Sequence, residues 1–76
     1  MHKICVRAVG LLDEVVCVEM EECVSVGDLI MKIFSMKDIK ASLEAVIVSD
    51  GSKTLELSEN ACSYEELVIY RVFRGG

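Results

Sequence analysis

From Ser25 onward the apolar residues change their period, and this switch limits what the chain can fold into more than any other feature. Val26, Leu29, Ile30, Ile33 and Phe34 fall at i, i+3, i+4, i+7 and i+8, the spacing that draws one stripe down an α-helix. Ser25 suits the N-cap, and Asp28 three residues later supplies a capping-box variant and a negative charge at the positive end of the helix dipole. The helix is expected to end between residues 35 and 37, with residues 38–44 irregular. In 76 residues, a single helix with a continuous stripe needs a sheet face to cover, because no other apolar surface is large enough. The expected class is an α+β roll with one helix across a mixed sheet of four to five strands.

The remaining segments read as strands. Residues 3–9 alternate, with Ile4, Val6 and Ala8 on one side and Lys3, Cys5 and Arg7 on the other. Turn residues from Gly10 to Asp13 lead into a β-branched run over residues 14–20, which suggests a hairpin with Val16, Val18 and Met20 facing in. Residues 45–48 form a short apolar run, closed by the turn signal Ser49-Asp50-Gly51-Ser52. Residues 54–57 read as one more short strand, residues 58–63 as a loop and residues 66–73 as the last strand. Alternation there puts Val68, Tyr70 and Val72 on one side and Leu67 and Ile69 on the other.

Composition excludes several classes of function. Eight basic against thirteen acidic residues give 8 − 13 = −5, the wrong sign for neutralising nucleic-acid phosphates or an anionic membrane surface. Apolar runs stay far below the ~20 residues that cross a bilayer, and no secretory signal is visible, so a cytoplasmic location is expected. Five acids, Asp13, Glu14, Glu19, Glu21 and Glu22, fall within ten residues without a base; they read as a solvated face or as a surface that steers the domain to a basic partner. The four cysteines, Cys5, Cys17, Cys23 and Cys62, lack a Cys-x-x-Cys pair, and His2 is the one histidine, so no zinc site is expected. They are read as small apolar residues in reduced form; a disulfide between Cys5 and Cys17 is the alternative if the strand register aligns them. With His2 alone, at what reads as a mobile N-terminus, no base is available for a serine or cysteine nucleophile. Gly10, Gly27 and Gly51 do not approximate a phosphate-binding loop. The chain is expected not to be an enzyme.

The sequence closes on Arg74-Gly75-Gly76, directly after the last strand. Two residues without Cβ atoms can pass through a slot too narrow for other side chains. Gly76 presents an unhindered carboxylate, unreactive towards amines until it is converted to an acyl donor such as a mixed anhydride with AMP. In element order and length the whole chain resembles the ubiquitin-like, β-grasp family, which includes ubiquitin, the archaeal small modifier proteins and the sulfur carriers of molybdopterin, thiamine and tRNA thiolation. The specific likeness is short. Leu67-Val-Ile-Tyr-Arg-Val-Phe-Arg-Gly-Gly76 looks like the ubiquitin ending, and Val24-Ser-Val-Gly-Asp-Leu-Ile30 looks more like the helix start of the sulfur carriers.

The resemblance implies a β-grasp domain over residues 1–73 and a flexible diglycine tail over residues 74–76. It implies that Gly76 is adenylated by an activating enzyme using ATP, that Gly75 lies in that enzyme's tail channel, and that Arg74 helps to dock the tail. Val72 stands where ubiquitin has a further arginine, and Arg71 is offset from that place by one, so Arg71 and Val72 join the docking candidates. By position, Val9, Ile47, Val68 and Tyr70 are candidates for a partner patch, and Lys53 for an acceptor of chain linkage. The implied function is a protein modifier joined to lysine amines; the alternatives are a sulfur carrier ending in a thiocarboxylate and a non-covalent interaction module. Implied partners are the activating enzyme, conjugation targets or a sulfur-acceptor subunit, and a deconjugating protease. The chain carries no cofactor in this reading and acts as a monomer.

Overall fold

The structure, a computed structural model, describes residues 1–72. Its first strand, β1 (His2–Val9), buries Ile4, Val6 and Ala8 as the alternation requires, and pairs antiparallel with β2 (Val16–Met20). Between them Gly10 takes φ +81°, and the Leu11 and Leu12 N–H groups both donate to the Ala8 carbonyl at 3.2 and 3.0 Å. Leu11 and Leu12 fold back against the core, which lengthens the loop and delays β2 to residue 16 rather than 14. Val16 and Met20 are buried and Val18 is half-buried, all on the inner face.

The helix α1 (Val26–Met36) starts and ends where the pattern places it. The Ser25 hydroxyl accepts from the Asp28 N–H at 3.1 Å. The Val26 N–H donates to the Glu59 carbonyl at 2.8 Å and the Gly27 N–H to the Leu57 carbonyl at 2.9 Å. At the other end Asp38 adopts φ +53°, the Ile39 N–H donates to the Phe34 carbonyl and the Asp38 N–H to that of Ser35. These are the two bonds of a Schellman motif, with aspartate in the position glycine usually takes. The stripe residues Val26, Leu29, Ile30, Ile33 and Phe34 are all buried, in one cluster with Ile4, Val6, Val48, Leu67 and Ile69 of the sheet.

Strand β3 (Val46–Ser49) pairs antiparallel with β4 (Glu66–Arg71), and β4 runs parallel to β1. The sheet order is β2-β1-β4-β3. It is a small α+β fold in which one helix packs on a mixed four-stranded sheet. Residues 54–57 do not make a fifth strand. After a single bridge between Ser49 and Thr54 and a bond from the Leu55 N–H to the Val48 carbonyl, the segment leaves the sheet to offer its carbonyls to the helix N-terminus. A Cβ on Gly27 would stand 3.2 Å from Leu57 Cβ, so this strap lies close against the helix start. Residues 43–45 and 61–63 form short 3-10 turns inside segments expected to be irregular. β4 ends at Arg71, two residues before the expected end; the Val72 N–H still donates to the Ala45 carbonyl at 2.8 Å, and Phe73 lies outside the described residues.

Two expectations are corrected. His2 is not at a mobile end: it lies in β1, and its Nε2–H donates to the Tyr64 carbonyl at 2.7 Å. The four cysteines are not reduced apolar residues: Cys5 is bonded to Cys17 and Cys23 to Cys62. The first pair follows from register, since Cys5 and Cys17 are directly opposed across the hairpin, 3.9 Å apart at Cα, as the closer, non-hydrogen-bonded pairs of a ladder are. The second ties the bend after β2 to the 3-10 turn before β4, where the Ala61 N–H donates to the Val24 carbonyl.

Guanidinium unfolding checks this packing: Ile30→Ala should cost about 2–5 kcal/mol, whereas Ile47→Ala, on the open face, should cost less than about 1 kcal/mol. On loop entropy, Cys23→Ser with Cys62→Ser (sequence separation 39) should cost roughly 4 kcal/mol, against roughly 3 for Cys5→Ser with Cys17→Ser (separation 12).

Candidate functional site

The helix covers one face of the sheet and leaves the other open. Alternation along each strand sends Lys3, Cys5, Arg7 and Val9 of β1, Glu66, Val68 and Tyr70 of β4, and Ile47 and Ser49 of β3 to this outer face. The ladders then fix which of them meet. Val9 is the Cα partner of Tyr70, and Tyr70 that of Ile47, so the three form one row across three strands. Directly opposed residues stand about 4.5–5.5 Å apart at Cβ, within side-chain contact. Val9 is 50% exposed, Tyr70 45% and Ile47 43%. One step along β4 in the other direction from its end, Val68 is half-buried between Arg7 and Ser49 and extends the apolar surface inward. The four patch candidates are therefore contiguous.

A row of this kind has the composition of an interface centre: an aromatic and two aliphatic side chains, with a polar fringe of Arg7 and Ser49. Tyrosine brings a large, stiff ring and a hydroxyl that stays wet or finds a partner acceptor.

The tail-docking candidates are only partly described. Arg71, exposed, is the last residue of β4 and faces Val46 in the ladder; Val72 is half-buried beside Ser42, Glu44 and Ala45, with which it lines a shallow notch of about 340 Å³. Arg74, Gly75 and Gly76 lie outside the described residues. Lys53 is exposed in the turn after β3, and its backbone N–H donates to Asp50 Oδ1 at 2.9 Å. That bond, with a second from the Ser52 N–H, holds the Asp50 carboxyl below its ordinary range. Lys53 does not belong to the patch row.

The five acids do not form one surface. Glu19, Glu21 and Glu22 line a groove of about 570 Å³ with Met1, Met20, Val24 and Lys32, whereas Asp13 and Glu14 line another of about 450 Å³ with Leu11, Leu12, Lys37 and Ile39. The hairpin carries them to its two ends. Among the described residues no three His, Cys, Asp or Glu side chains are grouped to hold a metal ion. No described helix is long and apolar enough to cross a membrane.

One polar pair escapes sequence reasoning. The Tyr64 hydroxyl donates to Glu59 Oε1, while Glu59 Oε2 accepts from the Glu56 N–H at 2.7 Å. The bond from Tyr64 pulls the Glu59 carboxyl below its ordinary range, and the same bond pushes the Tyr64 hydroxyl up to about 12. Nothing in the spacing of residues 59 and 64 announces this pair, because the intervening 3-10 turn brings them together. The pair organises the strap beside the helix start and does not face the patch.

No protein-family model matches the chain, and no curated protein matches it.

The Glu59 and Tyr64 shifts make a pH prediction. A lowered Glu59 stabilises the fold above its ordinary 4.5, and that contribution fades as pH falls. A raised Tyr64 stabilises below its ordinary 10.0, and that contribution fades as pH rises towards about 12. Denaturant unfolding as a function of pH should show both limbs flattened in Tyr64→Phe.

Proposed function

We propose that this chain is a ubiquitin-like protein modifier of the β-grasp class, activated at Gly76 by a separate adenylating enzyme and joined to lysine amines of target proteins. The observation that carries the reading is the exposed row of Val9, Tyr70 and Ile47 on the face opposite the helix, built around the strand that leads in sequence to Arg74-Gly75-Gly76. The sheet order, with the first and last strands parallel at its centre, is compatible with a β-grasp.

The chemistry divides between the chain and its partner. The Gly76 carboxylate attacks the α-phosphate of ATP held by the activating enzyme, giving an acyl-adenylate and pyrophosphate. A lysine amine then displaces AMP to form the isopeptide bond, or an enzyme thiol first displaces AMP to form a thioester, from which the amine displaces the thiol. In this reading the chain supplies an acyl group without a Cβ, basic residues Arg71 and Arg74 around Val72 for docking, and the apolar row for recognition by the activating enzyme or by readers of the conjugate. Lys53, exposed in its turn, is the candidate acceptor for chain linkage. The chain performs no catalysis and holds no cofactor.

The test is to incubate the chain with ATP and host lysate. Conjugates of higher mass should form and should vanish when Gly76 is deleted; none forming in either case overturns the proposal. Ile47→Ala with Tyr70→Ala should weaken partner binding about tenfold in titration calorimetry while leaving the far-UV circular dichroism unchanged.

A second reading has one observation in its favour, the carrier-like start of the helix at residues 24–30, where Ser25 caps Asp28. In that case the acyl-adenylate is opened by a sulfur donor, and mass spectrometry of protein from its own host should find one C-terminal oxygen replaced by sulfur.

A further inference from the structure

The two disulfides occupy different positions in the fold. Cys23–Cys62 joins segments far apart in sequence, and Cys62 packs against the hydrophobic core. Cys5–Cys17 joins two residues already held opposite each other by the hairpin ladder, on the face away from the core. The pairs Ile4 with Val18 and Val6 with Val16 hold the same two strands together on either side of it.

The surroundings of Cys5–Cys17 also differ from one sulfur to the other. Cys17 is exposed on β2, an edge strand, and among the described residues no strand lies on its outer side. Cys5 is half-buried on β1, and on its far side stand Glu66, its partner on β4, and a recess of about 170 Å³ that Arg7, Asp50 and Val68 help to line. An incoming thiolate meets two carboxylates and one guanidinium in a narrow recess on that side, and the outer side of an edge strand on the other. The leaving sulfur has the opposite need: a Cys5 thiolate would have Glu66 opposite it on β4 but Lys3 and Arg7 two residues away on either side along the same strand face, two cations against one carboxylate. Glu19, on the same face of β2 as Cys17, is the ladder partner of Lys3. By contrast, Glu21 and Glu22 immediately precede Cys23, and negative charge there opposes both attack and departure.

We propose that Cys5–Cys17 is a reversible thiol-exchange site, at which a small monothiol or a dithiol reductant attacks Cys17 and Cys5 leaves, while Cys23–Cys62 stays closed. The attacking thiolate forms a new disulfide with Cys17 Sγ as the Cys5–Cys17 bond breaks, and the electron pair goes to Cys5, which then takes a proton. With a dithiol, its second thiolate displaces Cys17, so the reductant leaves as a cyclic disulfide and two electrons and two protons end on the two cysteines. With a monothiol, the modification stops at a mixed disulfide on Cys17, on the same sheet face as the row that begins at Val9.

The experiment exposes the full chain to graded dithiothreitol, or to glutathione, quenches by alkylation, and maps the labelled cysteines by peptide mass spectrometry, with circular dichroism in parallel. Cys5 and Cys17 should label about ten times faster than Cys23 and Cys62, the protein reduced at that pair should keep its secondary structure, and glutathione should be found on Cys17. Equal rates for the two pairs, earlier opening of Cys23–Cys62, glutathione on Cys5, or unfolding on opening of the hairpin pair would each overturn the assignment. Lys3→Gln with Arg7→Gln should slow the exchange roughly two- to threefold, and an unchanged rate overturns Cys5 as the leaving group. Deleting Gly76 should leave all of these rates unchanged, so the result stands apart from conjugation.

Discussion

Parallel pairing between β1 and β4 is the contact on which the rest of the molecule depends. It joins the beginning of the chain to its last described strand, and each partner then recruits one antiparallel neighbour, β2 on one side and β3 on the other. On the inner face the pairing sets Val6 against Leu67 and Ala8 against Ile69, the floor on which the helix stripe lies. On the outer face the same register sets Val9 against Tyr70. A slip of one residue would turn both faces over together, putting Leu67 and Ile69 into water and Tyr70 under the helix. Core and patch are thus specified by one alignment.

Much of this was legible because it rests on local periodicity. The helix stripe, its Ser25 cap, the alternation of β1 and the inward side of β4 all repeat within a few residues. Residues 54–57 show the limit of such reading. Leu55 and Leu57 do alternate, and Leu55 is buried, but the carbonyls of residues 57 and 59 are needed by the helix N-terminus, a demand no local pattern records. The Cys23–Cys62 link was invisible for the same reason: the bend after β2 and a 3-10 turn meet only once the sheet has formed. The Cys5–Cys17 pairing was accessible as soon as a hairpin register was assumed. The patch row needed the order of the strands, since Val9, Tyr70 and Ile47 lie on three different ones.

Charge and exposure are arranged so that the open sheet face does not become a sticky edge. β3 has only four residues, and β2 shows Glu19 and a cysteine already committed to its neighbour. Short or charged edges discourage pairing with another chain, while the row of Val9, Tyr70 and Ile47 keeps apolar side chains exposed on the open face. The acids at the two ends of the hairpin flank that surface without entering it.

The strap at residues 57–59 has a consequence for where nucleotides can bind. The first free amides of a helix, with the positive end of its dipole behind them, form a natural cradle for phosphate. Here the amides of Val26, Gly27 and Asp28 are already taken, by the carbonyls of Glu59 and Leu57 and by the Ser25 hydroxyl. The positive pole of this helix is sealed by the protein's own backbone, and a triphosphate arriving there would find no donor left to hold it.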